Sequence, residues 1–117
     1  MSDKQNMSDA HERRPFAGHG HMDVVTLGDF TIGRGVYEPG WRWSNDVKPI
    51  AGTDSCQVHH TGVCLSGHMT IRAEDGQELP IGPDDVFDIE PGHDAWVDGD
   101  EPCVLLDTGA KPYAKPA

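Results

Sequence analysis

The chain has 117 residues, 36% of them hydrophobic and 25% charged, which sets an expectation of one small domain with a modest core. Twenty acidic against nine basic residues give a formal net charge of −11, so neither nucleic acid nor an anionic membrane surface is an expected partner. No apolar run is long enough to span a membrane, and the N-terminus lacks the apolar stretch of a secretory signal. The three cysteines are irregularly spaced and read as reduced thiols, so a cytoplasmic location is expected.

Residues 1–22 read as a disordered tail, because "MSDKQNMSDAHERRPFAGHGH" offers little apolar surface to offset the entropy lost on ordering. His19 and His21 within it are able to chelate a stray metal ion, but solvated tail residues are the preferred reading. Residues 23–110 have a different texture. Short β-branched segments alternate with Gly, Pro, Asp and Asn clusters, and none shows helical periodicity over three turns. The first strands are "DVVTL" and "FTIGRGVY". Tyr37 to Gly52 then forms a long connection, the length of a binding loop, carrying Trp41 and Trp43. Trp41, just after Pro39-Gly40, is expected to line a ligand site, while packing is the preferred reading for Trp43.

The next strands, "CQVHH" and "GVCLSG", bring His59 and His60. Adjacent residues on a strand face opposite sides, so one of the two points inward. "HMTIRA" and "QELPI" should pair as a hairpin through Asp75-Gly76, with Pro80 marking an edge or a bulge. "DVFDIE", "DAWVDG" and "CVLLD" complete an all-β sandwich or barrel. Residues 111–117, "KPYAKPA", read as a C-terminal tail.

Two of these stretches, "VCLSGHMTIRAEDG" and "DDVFDIEPGHDAW", resemble the paired motifs of the cupin superfamily, with Gly67 and Gly92 as the turn glycines. The resemblance spans about residues 54–107. It implies a single jelly-roll barrel, the double-stranded β-helix, with a pocket at its mouth. Counting back from Gly67, His60 takes the place of the family glutamate, and Asp54 and Cys56 take the places of its two histidines. Counting on from Gly92, Ala95 stands where the fourth ligand should be. Asp84 and Glu90 replace the usual glycine and proline of the second motif. None of the four usual ligands keeps its identity, which weakens the inference to the family's oxygenase, isomerase and epimerase activities.

The substituted residues are still competent donors. The family register turns His60 inward, in step with Cys64, and leaves His59 on the other face with Val63 and Leu65. Cys56 and His60 share a parity but lie roughly 13 Å apart in an extended strand. They meet only if the chain bends, and "QVHH" holds no Gly, Pro or Asn to mark the bend. His93, directly after Gly92, lies near the barrel mouth and can swing in to replace the missing fourth ligand. The candidate metal set is Asp54, Cys56, His60 and His93, holding one divalent ion, with zinc, iron, nickel and manganese not distinguished. The plainer alternative makes His60 and His93 hydrogen-bonded pocket histidines and Cys56 a buried thiol, like Cys64 and Cys103. A Cys56 nucleophile activated by His60 is the least favoured reading.

The candidate ligand pocket is Trp41, His60, His93 and Trp96, with Trp96 placed either to close the pocket or to pack. A small-molecule-binding or sensing role is expected ahead of a metal-dependent enzyme of dioxygenase or isomerase type. The partner would be a small organic molecule. A third expectation is self-association, since jelly-roll edges favour a homodimer.

Overall fold

The computed structural model describes residues 2–115. The strands are β1 (Glu12–Pro15), β2 (Gly20–Leu27), β3 (Phe30–Tyr37), β4 (His60–Ser66), β5 (His68–Ala73), β6 (Glu78–Ile81), β7 (Val86–Ile89), β8 (His93–Asp98) and β9 (Cys103–Asp107). They form a six-stranded antiparallel sheet, ordered β1-β2-β3-β9-β4-β7, and a three-stranded one, ordered β6-β5-β8. Met22, Tyr37, Cys64 and Leu105 from the larger sheet meet Met69, Ile71, Ile81 and Ala95 from the smaller in one core. The alternation behind this is plain in β9, where Cys103, Leu105 and Asp107 are buried and the residues between them are not.

The turns follow local chemistry. Gly67 and Gly92 adopt φ of +75° and +94°, conformations that a Cβ disfavours. Asp84, where the resemblance leads one to expect a glycine, has a left-handed backbone at φ +71°. The hairpin between β5 and β6 closes through a three-residue loop in which only Gly76 has positive φ, with Gly76 N–H donating to Ala73 O. That is a turn with a glycine bulge rather than a two-residue turn. Pro80 lies on β6, the edge of its sheet. The connection after β3 holds two four-residue helices, α1 (Trp43–Asp46) and α2 (Lys48–Ala51). No helix among the described residues is long and apolar enough to cross a membrane.

Both tail assignments need correction. Residues 12–15 form β1 and residues 20–22 open β2, paired in register from Glu12–Val24 to Pro15–His21. Arg14, Phe16 and Met22 are buried, and His19 hydrogen-bonds Asp46. The segment escaped the sequence reading because β1 buries an arginine where an apolar residue would signal a strand. Arg14 is satisfied there: Nη1 donates to Ala110 O and Tyr113 O at 2.6 and 2.8 Å, and Nε to Glu12 at 2.8 Å. At the other end, Tyr113 and Ala114 are buried, so the described part of 111–117 caps the core. Pro116 and Ala117 lie outside the described residues, as does Met1.

Candidate functional site

His60 opens β4, buried and inward, while His59 is exposed and hydrogen-bonded to Asp88. Cys56 precedes β4 but belongs locally to the other sheet. Its N–H donates to His93 O at 2.8 Å, and its carbonyl accepts from Gly92 N–H at 2.7 Å. His60 instead pairs with Ile89 of β7. Residues 57–59 therefore cross from one sheet to the other, and that crossing is the bend that no turn former announced. It brings Cys56 Sγ to 3.4 Å from His60 Nε2.

His93 completes the cluster. Its ring lies 5.4 Å from that of His60, centroid to centroid, and one donor atom from each of Cys56, His60 and His93 falls within 4.8 Å of the others. Each imidazole spends its other nitrogen outside the cluster. His60 Nδ1 lies 2.5 Å from Asp107 Oδ2, and His93 Nδ1 donates to Glu90 O at 2.8 Å. Asp107 is itself fixed by Gly109 N–H, at 2.7 Å from its second oxygen. Burial pushes the Cys56 thiol up, but hydrogen bonds from His60 and His93 outweigh it and bring the group down to about 6. Burial likewise pushes His60 down, but its bonds to Asp107 and Cys56 prevail and raise it to about 9. Near neutrality the pair is a thiolate beside an imidazolium.

A cavity opens over these groups. Trp41, Trp43, Ala95 and Tyr113 line it with His60, His93 and Asp107. Tyr113 stands edge-on to His60 at 4.8 Å. The space left inside, about 20 Å³, accommodates one water-sized group. Ala95 offers this wall only a methyl group, and the cluster stays at three donors.

Of the residues singled out from sequence, Trp41, His60 and His93 line this cavity, and Cys56 joins the two histidines from an outer groove that it borders with Trp43 and Tyr113. Asp54 does not. Its carboxylate is fully exposed beside Lys48, because only Cys56 turns inward where the chain joins His93. Trp96 does not either: its ring carries the Arg42 guanidinium at 4.5 Å, on a β8 position of the opposite parity to Ala95. Trp43, expected to pack, lines the cavity while packing. Asp107, Tyr113 and the Glu90 carbonyl were not anticipated. Asp107 had a readable signal, an acid on the inward parity of an otherwise apolar strand. Tyr113 had none beyond being an aromatic in a polar tail.

No family model and no curated protein matches the sequence. Solved structures do. A cupin-superfamily sugar phosphate isomerase from Silicibacter pomeroyi is 16% identical, with a TM-score of 0.64 over 90% of this chain and 73% of its own. The polyketide cyclase RemF from Streptomyces resistomycificus is 18% identical, with a TM-score of 0.64 over 92% and 78%. A double-stranded β-helix protein from Klebsiella pneumoniae is 19% identical, with a TM-score of 0.60 over 93% and 92%. Likeness at these identities speaks to architecture alone: the chain has the cupin fold, a double-stranded β-helix.

Proposed function

We propose that the protein binds a small organic molecule at a divalent metal ion held by Cys56, His60 and His93. One observation carries this reading. Both imidazoles commit Nδ1 to outer acceptors, Asp107 and the Glu90 carbonyl, which leaves Nε2 of each as the nitrogen available to an ion. The third donor is a thiol already drawn toward its anion. One sulfur and two imidazole nitrogens suit zinc among the common divalent ions. Such an ion supplies a Lewis-acidic position facing the pocket. The confined space favours a ligand that presents only a narrow polar end inside, with its body left outside the cavity.

Metal analysis of the full chain tests the proposal. About one ion per chain is expected in the wild type and a large loss in His60→Ala. Equal content in the two would reject the site.

A metal-dependent enzyme is the second reading, and the number of donors favours it. Structural zinc sites fill four protein positions, whereas catalytic ones keep one open, and three donors gather here. The named isomerase and cyclase of the same fold are compatible with it. Product formation by the metal-loaded chain, lost together with the ion in His60→Ala, would separate this reading from plain binding.

A further inference from the structure

Trp41 and Trp43 both line the cavity, and both indole N–H groups are buried with no acceptor among the described residues. They are the only buried side-chain nitrogen or oxygen atoms so placed among those residues. A buried donor left unpaired costs about 1–3 kcal/mol, and native proteins keep few of them. Two at one cavity, beside a cluster of metal-type donors, is a concentrated local cost.

The acceptors around the cavity are already engaged. Asp107 takes His60 with one oxygen and Gly109 N–H with the other. Glu90 O takes His93, Tyr113 O takes Arg14, and the backbone carbonyls of Trp41 and Trp43 take Val97 and Val47. Burial keeps the Tyr37 and Tyr113 hydroxyls neutral. None of these acceptors is hydrogen-bonded to either indole, so the acceptor for each comes from water or from a bound molecule.

We infer that Trp41 and Trp43 are the recognition donors of this pocket, and that its ligand carries an oxygen acceptor, a carboxylate or a carbonyl. This rests on the metal-centred reading above and narrows it to a ligand class. An indole N–H donates and cannot accept. An alkylammonium or a hydrocarbon would leave both donors unpaired, whereas a carboxylate can offer one oxygen to an ion and keep lone pairs for the indoles. Trp41 is held edge-on against Tyr37, with ring centroids 4.6 Å apart, and is tilted against Phe16. Trp43 opens α1 and also borders an outer groove with Val47, Cys56 and Tyr113. Trp43 thus stands between the groove and the cavity.

The test uses the zinc-loaded full chain with its tryptophans labelled with nitrogen-15, and formate as the probe. Three indole N–H signals are expected, with Trp96, outside the cavity, as internal control. Formate should move the Trp41 and Trp43 signals downfield to saturation and leave Trp96 in place. Methylammonium should move none. Trp41→Phe and Trp43→Phe should each weaken formate binding about tenfold without changing zinc content. If either variant fails to fold, the wild-type titration decides alone.

The inference is overturned if formate moves neither cavity signal, if it moves all three alike, or if folded phenylalanine variants bind it as the wild type does. The same titration without zinc separates the two ideas. Selective indole shifts in a chain that takes up no zinc would uphold the acceptor pocket and reject the metal centre. One zinc per chain with unmoved indoles would do the reverse.

Discussion

His60 Nδ1 and Asp107 Oδ2 lie 2.5 Å apart inside the core, a contact between β4 and β9 that fixes which imidazole nitrogen faces Cys56. An ion at Nε2 would feel this carboxylate through the ring, because a hydrogen-bonded anion makes the opposite nitrogen a better donor. Asp107→Asn keeps the shape and removes the charge. It should weaken zinc binding about 10–100-fold while stoichiometry stays at one ion per chain, measured by competition with a chromogenic chelator. An unchanged affinity would show that the aspartate only packs.

In metal-free protein, Cys56 should ionise at about pH 6. Its folded value is depressed, so the thiol is protonated below that point and a thiolate above it, and His60 stays protonated until about pH 9. Burial pushes Cys64 and Cys103 upward, which keeps both silent in this window. Ultraviolet thiolate absorbance followed against pH should show one acidic transition. Cys56→Ser should abolish it, and His60→Gln should move it toward the ordinary thiol range. A midpoint in the ordinary thiol range for the wild type would refute the paired arrangement.

Arg14 should matter as much for stability as any apolar core residue. Arg14→Met leaves the Tyr113 carbonyl without its donor and Ala110 O with Tyr113 N–H alone, a loss of about 1–3 kcal/mol for one orphaned group. Urea unfolding measures the loss. Hydrogen exchange should locate it, with amides of residues 110–114 exchanging faster than those of β5. Loosening spread evenly through the chain would count against a local clasp.

The two turn glycines should differ in cost. A Cβ at Gly67 would sit 2.2 Å from Pro102 O and 2.6 Å from Cys103 Cα, both backbone atoms that cannot step aside. At Gly92 the nearest atoms are those of the Glu74 carboxyl at 3.3 Å, the end of a flexible side chain. Gly92→Ala should therefore cost about 1–2 kcal/mol, the penalty of the left-handed backbone alone. Gly67→Ala adds overpacking and should cost about 3 kcal/mol or more. Thermal melting of both variants gives the order, and a reversed order would contradict the packing at the β4–β5 turn.

Much of the architecture was legible because strands and turns write themselves locally. The glycines at 67 and 92 and the β-branched runs between them carried the cupin likeness without any ligand match. Asp84 adopts a left-handed backbone although it is not a glycine. The site was harder to read, for a geometric reason. Cys56 and His60 looked too far apart for one ion because strand spacing was applied across a segment that leaves one sheet for the other. Asp54 looked eligible because parity alone cannot report that pairing with His93 turns Cys56 inward and leaves the residue two before it in solvent. β1 and Tyr113 stayed hidden because each is ordered by the far end of the chain, through an arginine that alternation rules score as exposed.

That arginine also dictates a timetable. Residues 14 and 113 touch although ninety-nine positions separate them. During synthesis, at about 5–20 residues per second, the guanidinium of β1 must wait for ninety-nine further residues before Tyr113 exists. Until then the edge-on contact of Tyr113 with His60, which closes one side of the histidine cluster, cannot form.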